Sequence, residues 1–198
     1  LKDNDLRAKL VQHHEGKLMK KPPNVQLTHV GIQVRDLDQM VAFYQKTLGL
    51  VLTDRGEYYL GGEIAFMSRN ASEHHQLVVA SGRKDDPATT PINQISFRVD
   101  SLEDLISYHK NLLADNVPIQ RTITHGNAWS IYFFDPDGNR IELYCVTPWY
   151  VEQPYGIPID FSAPVDEIMK ITEDLIKDNP TKISQEQWSN ELKAKIFN

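Results

Sequence analysis

Apolar and polar residues alternate along several short stretches of the chain, and each such stretch reads as a β-strand, because side chains two apart share a strand face. Val30, Ile32 and Val34 form one face, with His29, Gly31 and Gln33 on the other. Ile95, Phe97 and Val99 oppose Gln94, Ser96 and Arg98, while Ile141, Leu143 and Cys145 oppose Arg140, Glu142 and Tyr144. Between these stretches the period lengthens, predicting amphipathic helices over about Leu37–Leu48 and Leu102–Asp115. Ile168, Ile171, Leu175 and Ile176 mark a later helix, and a short one is expected from Gln185 to Ile196. Pro148, Pro154, Pro158 and Pro164 punctuate an extended run with little room for regular structure.

The pattern occurs twice. Displaced by 65 residues, Val34 falls on Val99, Leu37 on Leu102, Asp38 on Glu103 and Leu48 on Leu113. Each copy is a strand, an acidic turn, a helix and further strands. Two copies are too few for a solenoid, so they are expected to close on each other. The fold predicted is α+β: two βαβββ modules, 26–82 and 91–147, forming a curved mixed-sheet cup over 26–147. A helical extension, 1–25, precedes it, and a two-helix extension, 148–198, follows.

Composition sets limits. A chain of 198 residues can bury one proper core. A formal charge of −6 disfavours nucleic acid or an anionic membrane as partner. No run approaches the roughly 18 apolar residues of a membrane-spanning helix. The single cysteine, Cys145, excludes an internal disulfide and suits a reducing compartment, so the cytoplasm is the expectation.

The polar strand faces carry histidine and glutamate among β-forming residues, which is unusual for an ordinary wet face. His29, Gln94 and Glu142 are the candidate ligands of a divalent metal; imidazole and carboxylate suit iron, manganese, zinc or nickel. His29 and Gln94 occupy equivalent repeat positions. Glu142 follows the turn Asp135-Pro-Asp-Gly-Asn139, whose residues favour a tight reversal and fix strand register. Each has a plainer reading. His29 alone is an ordinary strand histidine, Gln94 a buried amide, and Glu142 a partner for Arg140 or Arg98. Their coincidence on one face favours the metal. His75, His125 and Tyr132 are the candidates for proton transfer. His75 opens the run His75-Gln-Leu-Val-Val79, read as strand, and alternation turns His74 away from it. Trp149, Tyr150 and Tyr155 are candidates for covering the site or a subunit contact.

Thr28-His-Val-Gly-Ile32, Phe43-Tyr-Gln-Lys-Thr-Leu-Gly-Leu50 and Ser130-Ile-Tyr-Phe-Phe-Asp-Pro-Asp-Gly-Asn-Arg-Ile-Glu-Leu-Tyr144 together resemble the vicinal-oxygen-chelate superfamily over about residues 26–146. That group includes glyoxalase I, bleomycin-resistance proteins and extradiol dioxygenases; the nearest likeness is to catechol 2,3-dioxygenase-related proteins. The resemblance implies a metal held by two histidines and a glutamate, with His29 and Glu142 matching the first and last. His75 matches a second-sphere acid–base histidine, and His125 and Tyr132 the pair flanking substrate and oxygen. Gln94 stands where the pattern has the second histidine; its amide oxygen can bind a hard metal, as glutamine does in some glyoxalases. The implied activity is ring cleavage of a catecholic or related vicinal-oxygen substrate by O2. The implied cofactor is Fe(II), with Mn(II), Zn(II) or Ni(II) as alternatives; separately, the long terminal extensions would suit a homodimer. Two other readings stand beside it: a glyoxalase-like lyase or isomerase, and a metal-free small-molecule-binding protein or pseudoenzyme. Leu77, at the offset counterpart of Glu142, counts against the lyase, which generally wants a second glutamate there.

Overall fold

The computed structural model describes residues 25–84 and 92–197, so the expected N-terminal extension lies outside the described residues but for Val25. The first module comprises β1 (Val30–Val34), α1 (Leu37–Leu48), β2 (Val51–Glu57), β3 (Glu63–Ser68) and β4 (Leu77–Ser81). The second comprises β5 (Ile95–Arg98), α2 (Leu102–Ala114), β6 (Ile119–Thr124), β7 (Ala128–Phe134) and β8 (Arg140–Val146). Both are βαβββ units, as the repeat predicted. The chain continues through β9 (Trp149–Tyr150), β10 (Ile157–Pro158), α3 (Val165–Ile176), β11 (Ile183–Ser184) and α4 (Gln185–Phe197).

The modules form two open mixed sheets, ordered β1-β4-β3-β2 and β10-β6-β7-β8-β5. In each, the opening strand runs parallel to the closing one, β1 with β4 and β5 with β8. A parallel pair needs a long crossover, which α1 and α2 supply. The helices start where the sequence provides caps. The Asp36 side chain accepts from Gln39 N–H and that of Ser101 from Asp104 N–H. Gly49, at φ 64°, ends α1 in the left-handed conformation that glycine adopts cheaply.

α1 buries Leu37, Met40, Val41, Tyr44 and Leu48, at roughly 1.5–3 kcal/mol per large apolar side chain. They pack against Ile32, Val34, Met67, Leu77 and Val79, on the sheet face the alternation had marked as apolar. The same core continues through Ile131, Phe133, Ile141 and Leu143 of the second sheet, joining the modules. Phe161 and Ile168 of the C-terminal extension are buried in it too, and Trp129 Nε1 donates to Thr172 Oγ1 at 2.8 Å, tying α3 to β7. The proline-rich run is less irregular than expected. Its residues 157–158 add β10 to the free edge of β6, where Pro158 costs no central ladder bond.

A polar lock also joins the modules. The turn between β7 and β8 is built on Asp135, whose carboxylate accepts from the backbone N–H of Asp137 and Asn139 and from Asn139 Nδ2. Tyr44 of α1 donates to the same carboxylate at 2.8 Å. Asp137 takes the Arg35 backbone N–H at 2.9 Å and the Arg35 guanidinium at 3.2 Å, while Arg83 donates to Asn139 Oδ1 at 3.0 Å. Burial pushes the Asp135 pKa up, and the bonds from Asn139 and Tyr44 pull against it.

Candidate metal centre

Glu142 sits in the middle of the second sheet's polar face. In the ladder its register partners are Ser96 on β5 and Tyr132 on β7, so all three point the same way. Ser96 Oγ and Gln94 Nε2 both donate to Glu142 Oε2, the latter at 2.7 Å, and Tyr132 OH donates to Oε1. Glu142 is 7% exposed, and no arginine, lysine or histidine pairs with it among the described residues. A negative charge on a buried carboxylate answered only by neutral donors is costly unless a cation balances it.

Beyond Tyr132 the chain of contacts continues. His125 Nε2 lies 3.0 Å from Tyr132 OH, and His125 Nδ1 lies 2.8 Å from the Tyr155 carbonyl oxygen. A carbonyl only accepts, so Nδ1 carries a proton. A phenol has one proton, and two contacts compete for it. Both are hydrogen bonds at once only when the trio Glu142–Tyr132–His125 holds one proton more, on the carboxylate or on the imidazole. The three groups thus form a relay along which a proton can shift. Burial first, then the hydrogen bond and charge of Glu142, push the Tyr132 pKa up to about 12, so its hydroxyl remains a donor at neutral pH.

Arg121 was not legible as a site residue. A bulge between Ile119 and Arg121 inserts one residue into β6, and the shifted register pairs Arg121 with Tyr132. Its guanidinium lies over the Tyr132 ring, 4.5 Å from the centroid.

His29 and His75 form a second cluster, on the first sheet. Their ring centroids are 4.4 Å apart. His74 belongs with them, contrary to the alternation argument. β4 begins only at Leu77, so residues 74 and 75 lie in a turn, where strand alternation does not apply. His74 Nδ1 meets His75 Nδ1 at 2.9 Å, and His74 Nε2 meets Asp54 at 2.7 Å. Desolvation, followed by the neighbouring His29 and His74, lowers the His75 pKa below the usual imidazole value. A neutral imidazole at pH 7 is a base ready to take a proton.

Among the described residues no hydrogen bond, ion pair or ring contact joins the two clusters, and no three His, Cys, Asp or Glu side chains gather as a metal site. A cavity of about 600 Å³ lies between Leu48, Arg69 and Gln76 of the first module and Ser96, Arg98 and Tyr108 of the second, meeting the Glu142 cluster only at Ser96. None of the six expected site residues lines it. Glu142 and Gln94 fit a divalent ion, one offering an anionic oxygen and the other a neutral amide oxygen. His125 has both ring nitrogens engaged, so the imidazole such a site wants is missing from this cluster.

The family model for the glyoxalase/bleomycin resistance protein/dioxygenase superfamily matches residues 26–143. The chain belongs to that superfamily. Among its relatives, biphenyl-2,3-diol 1,2-dioxygenase 2 of Rhodococcus globerulus is 25% identical over 149 residues, covering 67% of this chain and 75% of the relative. A glyoxylase/bleomycin resistance protein/dioxygenase domain from Frankia sp. EAN1pec superposes with a TM-score of 0.54 at 22% identity, covering 63% of this chain and 93% of the other. A mutant of the fosfomycin resistance protein FosX from Listeria monocytogenes, complexed with Mn(II) and a dihydroxypropylphosphonic acid, gives 0.51 at 22%, covering 63% and 94%. Both structures share the fold. As a superfamily member, the chain has a scaffold typically used to bind a divalent metal and a small molecule. No helix among the described residues is long and apolar enough to cross a membrane.

Proposed function

We propose that the protein is a metal-dependent, extradiol-dioxygenase-like enzyme that opens the ring of a catecholic or related vicinal-oxygen substrate with O2. The observation that carries this reading is the Glu142–Tyr132–His125 relay, in which a candidate ligand accepts a hydrogen bond from Tyr132, which in turn contacts His125, the two groups expected to flank substrate and oxygen. The similarity to a biphenyl-diol dioxygenase supports the same direction. A glyoxalase-like lyase would want a carboxylate at the first module's counterpart of Glu142; the ladder puts Val78 there, one residue beyond the core residue Leu77 that the 65-residue offset had indicated.

Glu142, Gln94 and His29 would hold the ion, Fe(II) first, which would supply vicinal-oxygen chelation and an electron path. His75, beside His29, takes a hydroxyl proton from the substrate. Tyr132 and His125 keep a proton within reach of the far side of the substrate and return it as negative charge builds on oxygen. The buried face around Tyr132 and Glu142 keeps bulk water from competing for these bonds.

His29 and Glu142 lie in separate clusters of one chain, so the ion in this reading sits between two copies. The first sheet's polar face is open, with Gly31, Gln33, Asp54 and Gly56 exposed. A twofold dimer would set His29 of each copy against Gln94 and Glu142 of the other, making two equal sites.

Two measurements test the reading. Protein purified without chelator, supplied anaerobically with Fe(II) or Mn(II) and then with a panel of catechols, should consume oxygen in proportion to metal content. Metal binding without oxygen uptake on any catechol would overturn the dioxygenase assignment and favour the lyase. Gln94→His replaces a neutral oxygen donor with imidazole, and metal retention through dialysis should be equal or tighter. Weaker retention would contradict the expectation that imidazole at this position serves the ion at least as well as the amide oxygen.

A further inference from the structure

We propose that Gln153, in the C-terminal extension, is a positioning residue that holds His125 in the ring orientation and tautomer the relay uses. The role given to His125 rests on the function proposed above; the geometry does not. Gln153 lies beyond the 26–143 segment that defines family membership, so nothing in that match describes it.

Three hydrogen bonds close a ring. His125 Nδ1 donates to the Tyr155 carbonyl at 2.8 Å. The Tyr155 backbone N–H donates to Gln153 Oε1 at 3.1 Å. Gln153 Nε2 donates to the His125 carbonyl at 2.8 Å, and its second hydrogen reaches the Val151 carbonyl at 3.1 Å. One side chain therefore grips the backbone of both residues whose own bond sets the imidazole. The amide is used on every side: one acceptor facing an N–H, two donors facing carbonyls. That pattern also fixes which end is oxygen. Glutamate would turn an acceptor towards two carbonyls, and leucine would offer nothing.

The surroundings leave the strap from Val151 to Pro158 little freedom to substitute for a lost clasp. Val151 is buried, and Gly126, at φ 73°, has no room for a side chain, since a Cβ there would come within 2.5 Å of Val151 Cγ2. A Cβ at Gly156 would lie 2.8 Å from Ile123 Cδ1 and 3.8 Å from His125 Nδ1. Ile157 then pairs with Thr124, one residue before the histidine. The strap thus runs close beside His125, bonded to its ring nitrogen and to its carbonyl. Because the Tyr155 carbonyl only accepts, it selects the Nδ1–H tautomer and leaves Nε2 directed at Tyr132. A strap that drifts would release the ring to the other tautomer.

The test uses the full chain, 15N-labelled, with the His125 ring signals assigned by their loss in His125→Gln. Wild type should show the Nδ1–H signature that the bond to the Tyr155 carbonyl requires. Gln153→Leu and the nearly isosteric Gln153→Glu should both shift it towards the Nε2–H form. In both, kcat should fall about tenfold or more with KM within about twofold, because a group misplaced by an ångström or so loses rate rather than affinity. An unchanged tautomer in the two variants overturns the proposal. So does a changed tautomer with unchanged kcat, which would make Gln153 only a clasp for the strap. If wild type consumes no oxygen on any substrate, the functional reading fails on its own, and the tautomer readout still decides whether Gln153 positions the ring.

Discussion

Glu142→Ala is expected to leave a folded protein that retains no metal and has no activity. The carboxylate is the one anionic group on the second sheet's polar face with three neutral donors aimed at it. Removing it takes away a directly bound oxygen, so metal affinity should fall by more than about a hundredfold, beyond the 10–100-fold that loss of an outer-sphere partner produces. Two opposed effects act on stability. Tyr132 OH and Ser96 Oγ lose their acceptor, at about 1–3 kcal/mol for each such group that stays buried and unpaired. A buried carboxylate without a cation is also removed, which offsets part of that loss. The net change should be small compared with the loss of metal. Metal analysis of dialysed protein beside a thermal melt separates the two. Unchanged metal content with a lowered Tm would make Glu142 a structural residue and end the ligand assignment.

The largest effect on stability should come from Asp137→Ala. Asp137 is 5% exposed at its side chain, and it receives the backbone and guanidinium of Arg35 across a sequence separation of 102 residues. The Arg83 side chain alongside is 7% exposed. Deleting one partner of a buried ion pair typically costs about 3–5 kcal/mol, because the remaining charge keeps its desolvation penalty. The lower end, about 3 kcal/mol, is expected, since Arg35 is partly solvated and Arg83 also bonds Asn139. For a chain of this size that corresponds to a fall in Tm of about 6–12 °C. Calorimetry of the two proteins checks it. A loss under about 1 kcal/mol, the scale of exposed ion pairs, would mean that the lock between the modules is solvated and weak.

Periodicity carried much of this molecule because its elements are strongly amphipathic and capped. α1 spans Leu37–Leu48 as the spacing of its apolar residues requires, and α4 starts at Gln185. The link from Tyr132 to Glu142 could be anticipated for a related reason. A tight hairpin with Asp135–Asn139 at its tip makes residues ten apart face each other on one side of the ladder. Ser96 was also within reach, as the residue sharing a face with Gln94 and paired with Glu142. What escaped was irregular or carried by the backbone. The bulge that turns Arg121 onto Tyr132 breaks the alternation from which its face would be read. His74 lies in a turn that the β-branched run after it disguised as strand. The Tyr155 carbonyl that fixes His125 belongs to the backbone, so no pattern of side chains announces it. The docking of Asp135 onto Tyr44, 91 residues away, depends on how the modules pack, which local spacing does not encode.

A mixing experiment bears most directly on the site as a whole. His29→Ala and Glu142→Ala chains, each expected to be metal-free alone, are dissociated together, allowed to reassociate and dialysed against Fe(II) or Mn(II). If an imidazole from one copy and a carboxylate from the other share an ion, random pairing restores about a quarter of the wild-type sites, one intact site in each mixed dimer. A mixture as empty as its components, with wild type fully loaded after the same treatment, would contradict a site shared between copies, and metal kept by either single variant would show that the altered residue is no ligand.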